Sequence, residues 1–143
     1  MESGRSIISA RRCAWLAAYC AASSRGVQRY PSLRIRHNLA LLAAQEGRHE
    51  EAEAGLRQAL SILEKRLGSE HRYTATILLN LGDLYQEQDR LSEAETCWLR
   101  SLAIRKKVLG PEHLDTLNLL QKLVYLRHKQ GKMVTADELL KEV

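Results

Sequence analysis

One block of this sequence recurs after 42 residues, and this internal repeat restricts the fold more than any other feature. The segment Asn38–His71 aligns without a gap on Asn80–His113, and 14 of the 34 positions are identical. A third copy follows from Thr116, which matches Thr74 in the second copy. A fixed period of 20–50 residues is typical of stacked repeat proteins. The sequence therefore predicts three repeats, at about 32–68, 74–110 and 116–143, in an array over residues 31–143.

Each repeat has the apolar spacing of two helices joined by a short turn. In the second copy Ile77 and Leu81 belong to a series with intervals of three and four residues, which predicts an amphipathic helix. Ser92 and Glu95 have the spacing of a capping box and predict the start of the next helix there. Gly110 before Pro111 predicts its end. Since no segment alternates as a strand does, the predicted fold class is all-α.

The positions between the helices also recur. Asp89 occupies the turn position that Gly47 and Gly131 hold in the other copies. His71 and His113 each follow a Leu-Gly pair, and we expect them to bond the free carbonyl groups at the preceding helix end. The first helix of the second copy is expected to begin near Thr74.

The residues at the helix contacts resemble those of the tetratricopeptide repeat family. The second copy supplies bulky, small and aromatic residues in that family's order: Leu78, Leu81, Gly82, Tyr85, Ala94 and Trp98. Ala52 and Ala136 lie one period before and after Ala94, at the same repeat position. In the third copy, Val124 and Arg127 depart from the family's pattern. The long period and the Leu-Gly-x-Glu-His-x-x-Thr linker resemble the kinesin light chain and nephrocystin type. The resemblance implies an α-solenoid of stacked antiparallel helix hairpins.

The same resemblance implies a concave groove lined by the first helix of each repeat. The corresponding positions here are Arg34, Asn38, Thr76, Asn80, Asp83, Asn118, Lys122 and Tyr125. An Asn amide both donates and accepts hydrogen bonds, so Asn38 and Asn80 could hold a peptide backbone of any sequence. The alternative is that both amides lie on a solvated helix face without a ligand. Lys122 suggests an acidic residue in the bound partner.

The positive charge is concentrated before the repeats. Residues 1–45 contain seven Arg and one acidic residue, whereas residues 46–143 contain 15 basic and 16 acidic residues. The repeats are therefore nearly neutral, which argues against a nucleic-acid surface along them. Residues 1–30 are rich in Arg, Ser and Ala and are open to three interpretations: a degenerate helix that caps the array, a targeting peptide, or a disordered leader. The apolar run within them is too short to span a membrane.

The sequence contains no pattern of residues that indicates catalysis. Cys13, Cys20 and Cys97 lack metal-ligand spacing, and there is no phosphate-binding loop or nucleophile elbow. We therefore expect no enzymatic activity, no metal and no cofactor. The predicted function is a cytoplasmic scaffold that binds a protein or peptide. The alternative is a mitochondrial or other organellar assembly factor whose targeting peptide is removed. The partner's identity and the oligomeric state stay open.

Overall fold

The computed structural model describes residues 31–143, with side chains from Arg36 onwards. Within this range the chain is all-α, as predicted, and no strand occurs in it. The helices are α1 Pro31–Gln45, α2 His49–Leu67, α3 Arg72–Glu87, α4 Leu91–Val108, α5 Leu114–Lys129 and α6 Ala136–Glu142. The three interpretations of residues 1–30 fall outside the described residues.

The chain divides into two compact units, and the boundary lies within α2, between Gly55 and Leu56. In the described part of the first unit the buried side chains are small, among them Ala40 at 3% exposure and Ala52, which is fully buried. A methyl group added at Gly55 would lie 3.0 Å from the Cβ of Ala40. The small residues therefore allow α1 and the start of α2 to pack closely.

The turns within the helix pairs fall at the three predicted positions. Gly47 in the first copy and Gly131 in the third have φ values of 79° and 80°. Asp89, at the same position of the second copy, has a φ of 60°. Positive φ is strained for most residues, but Asp tolerates it better than residues with bulky or β-branched side chains. The turn prediction for Asp89 is confirmed.

The linkers between pairs use a hydrogen-bond pattern that occurs twice. The Thr74 hydroxyl donates to the Gly68 carbonyl at 3.2 Å, and the Thr116 hydroxyl donates to the Gly110 carbonyl at 2.9 Å. These bonds satisfy carbonyl groups just beyond the last turn of the preceding helix. The recurring Leu-Gly-x-Glu-His-x-x-Thr sequence thus ties the start of one helix to the end of another.

The linker histidines cap the helix that follows, not the one that precedes. The Nδ1 of His71 accepts from the Tyr73 amide at 3.2 Å, and the Nδ1 of His113 accepts from the Asp115 amide at the same distance. Each histidine is therefore the N-cap, so α3 begins at Arg72, before the expected Thr74. The expectation that the histidine side chains bond the free carbonyls of the preceding helix end is wrong, because each Nδ1 accepts from a backbone amide of the following helix instead.

The predicted capping box at the start of α4 is also wrong. The helix begins one residue earlier, at Leu91, and its N-cap Arg90 makes no side-chain capping bond. The carboxylate of Glu95 instead accepts from Arg127 of α5. A capping box does occur at α6, where Thr135 and Glu138 each accept from the other's backbone amide.

The core of the second unit is built around Trp98 of α4. Its indole is fully buried among leucines of α4, α5 and α6, including Leu102, Leu123 and Leu139. The indole nitrogen donates to the Leu79 carbonyl at 3.2 Å. This packing fixes α4 against both α3 and α5.

The structure gives the exposure of each predicted packing residue. Seven of them are buried: Ala52, Leu78, Leu81, Gly82, Tyr85, Ala94 and Trp98. Ala136 is exposed, which contradicts its assignment as a packing residue. The cap at Thr135 makes α6 start at Ala136, and Leu139, fully buried, is the α6 residue in the core. In the third repeat the start of the second helix, α6, is therefore shifted along the sequence from the position that the 42-residue period predicts.

Candidate functional site

The second unit brings six of the predicted groove residues onto two neighbouring first helices. Thr76, Asn80 and Asp83 belong to α3, and Asn118, Lys122 and Tyr125 belong to α5. These six residues are called the α3–α5 face below. Both helices start from a His-capped linker of the same pattern.

An ion pair joins the two halves of the α3–α5 face. The Nζ of Lys122 lies 2.9 Å from Oδ1 and 3.1 Å from Oδ2 of Asp83. The same ammonium group lies 5.6 Å from the ring centroid of Trp98. The side chains of Lys122 and Asp83 are 45% and 36% exposed. Solvent therefore reaches both charges, and neither is locked in the interior.

The other four residues of the face differ in how far they are exposed. Asn118 is exposed and Tyr125 is 60% exposed. Thr76 and Asn80 are half-buried, and the Thr76 hydroxyl donates to the Arg72 carbonyl in the preceding turn. The polar groups most open to a ligand are thus those of α5.

The predicted residues of the first copy belong to the first unit. The side chain of Arg34 lies outside the described side chains. Asn38 is half-buried, and its Oδ1 is buried without a hydrogen-bond partner among the residues that the structure describes. Burial lowers the pKa of the neighbouring His37 to about 4. The His37 side chain is therefore uncharged in the folded first unit at neutral pH.

Two features of the second unit were not predicted from the sequence. The first is the Lys122–Asp83 pair, whose members are 39 residues apart and therefore nearly one period. The second is Arg105, which is only 8% exposed and donates to the Asp115 carbonyl at 2.9 Å. Burial lowers the pKa of Arg105, an effect that the acidic side chains of Asp115 and Asp83 oppose. Opposite charges spaced by about one period would have been the sequence signal for the pair.

A mostly apolar cavity of about 440 Å³ lies next to the face, between α5 and the segment leading to α6. Tyr125 and Gln121 line one side, and Met133 and Val134 line the other. Met133 is 80% exposed, and its sulfur lies 3.1 Å from the Nδ1 of His128. The cavity extends the exposed surface of α5 with apolar groups.

No group of three or more His, Cys, Asp or Glu side chains in residues 31–143 is arranged to hold a metal ion. None of the helices in this range combines the length and the apolar character that a membrane crossing requires.

The tetratricopeptide repeat family model matches residues 32–97 and 73–143, which together cover most of the chain. No curated protein matches the sequence.

Several solved structures are similar to this one. The TPR-like repeats of a proposed kinesin light chain from Podosopora anserina align with a TM-score of 0.68 and 28% identity, over 94% of this chain and 64% of that chain. A point variant of the same protein gives a TM-score of 0.67 and 28% identity over the same shares. BtubC (BKLC) from P. vanneervenii aligns with a TM-score of 0.63 and 22% identity, over 68% of this chain and 39% of that one, a likeness of fold alone.

This chain thus spans between 39% and 64% of the solved chains that it resembles. The family match and the all-helical structure agree with each other, and the neighbours with 28% identity have kinesin light chain-like repeats. The chain therefore belongs to the tetratricopeptide repeat family, in its kinesin light chain-like form.

Proposed function

We propose that this chain is a non-catalytic scaffold that binds a peptide or a helix of a partner protein across the α3–α5 face. Tetratricopeptide repeats indicate a protein–protein interaction scaffold, and this general function follows from the family. The proposal adds the place of binding and the residues that contact the partner.

The observation that carries the proposal is the ion pair between Lys122 and Asp83. The 2.9 Å between the Nζ of Lys122 and the Oδ1 of Asp83 links the first helices of consecutive repeats. A ligand lying across α3 and α5 could therefore contact both helices at once. Because the pair is partly exposed, its remaining hydrogen-bonding capacity faces that ligand.

The chemistry of the surface suits main-chain recognition. The Asn118 amide can both donate to and accept from a peptide backbone, and the Tyr125 hydroxyl can do the same. The Tyr125 ring and the adjoining apolar cavity would take one apolar side chain of the ligand. Together these groups favour a ligand with polar main-chain contacts and one apolar anchor.

An acidic ligand residue would have to compete with Asp83. Lys122 suggested such a residue, but its ammonium group already lies within hydrogen-bond distance of both Asp83 oxygens. Exposed ion pairs contribute only about 0–1 kcal/mol, so replacement of Asp83 by a ligand carboxylate is energetically possible. The partner's acidity should therefore modulate the affinity and not determine it.

The proposal can be tested with a displayed library of random peptides selected on the purified chain. Selected peptides are then titrated against Asn118→Ala and Lys122→Ala by fluorescence anisotropy. Loss of a hydrogen bond costs about 0.5–1.5 kcal/mol, or roughly two- to tenfold in affinity. We expect both variants to weaken binding by this amount and to keep the thermal midpoint of the parent chain.

The matched control is Arg100→Ala. Arg100 of α4 forms an ion pair with Glu64 of α2, so it also joins two repeats, but through their second helices. This variant should leave peptide binding unchanged. If Arg100→Ala weakens binding and the Asn118 and Lys122 variants do not, the binding surface lies on the second helices and the proposal is wrong.

A further inference from the structure

A stripe of uncovered side chains runs along α5 and shares Tyr125 with the α3–α5 face. Its members recur at intervals of three and four residues and lie on one side of the helix: Leu114, Leu117, Gln121, Tyr125 and His128. Leu114, Leu117 and Tyr125 are 69%, 44% and 60% exposed. These residues are called the α5 stripe below. Leu114, Leu117 and Tyr125 thus expose apolar area that contact with a second surface would remove from water.

Two of the corresponding positions of α3 are covered within the second unit. One period before Leu117 lies Ala75, which is fully buried. One period before Gln121 lies Leu79, which packs against the core cluster that α4, α5 and α6 form. At Leu117 and Gln121 the α5 stripe thus has the repeat position of a contact surface, and both side chains are exposed.

The α5 stripe is self-complementary about its centre. Gln121 lies seven residues from both Leu114 and His128, which is about 10 Å along the helix in each direction. When a second copy of α5 is placed antiparallel across a two-fold axis at Gln121, Leu117 of each molecule meets Tyr125 of the other. Leu114 then meets His128 together with the apolar side chain of Met133, which is 80% exposed.

The charges on the flank of the stripe agree with the same arrangement. Asp115 and Lys129 lie on the same side of α5, near opposite ends. A two-fold axis perpendicular to α5 keeps both residues on that side and brings Asp115 of one molecule to Lys129 of the other. The contact occurs twice in a symmetric pair. A parallel arrangement would instead place like charges together.

From this complementarity we propose that the chain forms a reversible homodimer through antiparallel packing of the α5 stripe of two molecules. A single helix face buries less area than the roughly 1,200 Å² at the lower end of stable interfaces. The dimer is accordingly weak and dissociates on dilution. The two Gln121 side chains lie at the axis, where their amides can bond to each other.

Sedimentation velocity over a concentration series up to roughly 1 mM tests the proposal. The mass should rise from the monomer value of 16.2 kDa towards twice that value as the concentration increases. Leu117→Asp should abolish the rise and keep the helical circular dichroism spectrum. A chain that stays monomeric throughout, or a dimer that survives Leu117→Asp, overturns the proposal.

Charge reversal tests the antiparallel arrangement independently of any core packing. Asp115→Lys and Lys129→Asp each create two repulsive contacts in a dimer of one variant, so each alone should dissociate at least about tenfold more readily. An equimolar mixture creates two attractive contacts and should recover the parent mass, as should the double variant. A mixture that is no heavier than either variant alone contradicts the arrangement.

A cysteine at the axis gives a covalent readout. Gln121→Cys should form a disulfide-linked dimer on mild oxidation, because residues on a two-fold axis face their own copies. Thr96→Cys, exposed on α4 and away from the stripe, is the matched control and should cross-link no more than the parent chain. Equal cross-linking of the two variants would show that the contact is random collision.

Discussion

Arg127 and Glu95 form an ion pair with 2.8 Å between Nε and Oε1, and their side chains are only 11% and 16% exposed. Arg127 occupies the repeat position at which the second copy has the aromatic Tyr85. Its guanidinium also donates to Glu142 of α6 at 2.7 Å. The departure from the aromatic pattern is therefore compensated by two carboxylates, and one cation connects α4, α5 and α6.

Replacing Glu95 with alanine should destabilise the chain by about 1–3 kcal/mol, because it removes a charged partner from a nearly buried guanidinium. Glu93→Ala is the control: Glu93 also pairs with an arginine, Arg90, but its side chain is 48% exposed and should contribute little. Urea unfolding of both variants measures the difference. If both variants lose the same free energy of unfolding, the nearly buried Glu95–Arg127 pair stabilises the chain no more than the exposed Glu93–Arg90 pair does.

Gly82→Ala should cost about 1–3 kcal/mol, although alanine favours a helix more than glycine does. A methyl group at Gly82 would overlap the indole of Trp98, which is fully buried and cannot move aside. Gly55→Ala, at another helical glycine, would have the Cβ of Ala40 at 3.0 Å as its nearest contact and should cost less. Thermal unfolding of the two variants checks the order. If Gly82→Ala unfolds at a higher temperature than Gly55→Ala, the Trp98 indole does not limit the size of the residue at position 82.

Thr116→Val should destabilise by about 1–3 kcal/mol, since it keeps the side-chain shape but leaves the Gly110 carbonyl without its hydroxyl donor. Thr74→Val should act in the same way at Gly68. The control is Thr76→Val, because its hydroxyl bonds a carbonyl within its own helix and is partly exposed. Denaturant midpoints of the three variants are the measurement. A loss at Thr76 as large as at Thr116 would refute the special role of the linker threonines.

The period of the sequence was enough to predict the helix pairs and the turn at Asp89, because both depend on local spacing and backbone preference. The caps could not be decided in the same way. Both Ser92-x-x-Glu95 and Thr135-x-x-Glu138 have the capping-box signature, but only the second forms one. The carboxylate of Glu95 instead pairs with Arg127, which is 32 residues away in the sequence. A tertiary ion pair therefore overrides the local preference for a capping box.

The polar surface was less predictable than the fold. The family resemblance predicts that Lys122 and Asp83 each line the groove, but their mutual ion pair depends on how α3 and α5 lie side by side. Similarly, the 42-residue period predicts a packing position for Ala136 only if the register of the repeat stays constant. The cap at Thr135 starts α6 at Ala136 and leaves that residue exposed.

Stability should fall as the pH is lowered from 6.5 to about 4 because of His37. Burial lowers the pKa of His37 to about 4 from its ordinary value of 6.5. Between these values the unfolded chain binds a proton and the folded chain does not, which favours unfolding by up to about 1.4 kcal/mol per pH unit. Above pH 6.5 both states are neutral at this residue, and its contribution is constant.

His37→Gln should flatten the stability profile between pH 6.5 and 4, as measured by urea unfolding at each pH. Glu142→Gln is the contrast. The hydrogen bond from Arg127 lowers the pKa of Glu142, so the stabilisation by this carboxylate is lost only in more acidic solution, below its ordinary value of 4.5. A profile for His37→Gln that runs parallel to that of the parent chain would exclude His37 as the cause.

Asp83→Asn should reveal whether Lys122 recognises acidic ligands. In the parent chain the ammonium group of Lys122 is held by both oxygens of Asp83. The amide removes the competing charge but keeps the size of the side chain. Affinity for a selected peptide with a glutamate should rise roughly two- to fivefold, the effect expected of an exposed ion pair.

The same peptide with glutamine in place of its glutamate is the control and should bind the parent chain and Asp83→Asn equally well. Added salt should reduce the gain for the acidic peptide, since both charges are open to screening. Stability should change by less than about 1 kcal/mol, because the pair is partly exposed. If both peptides gain equally, Asp83 acts by blocking the surface, and Lys122 does not select an acidic partner.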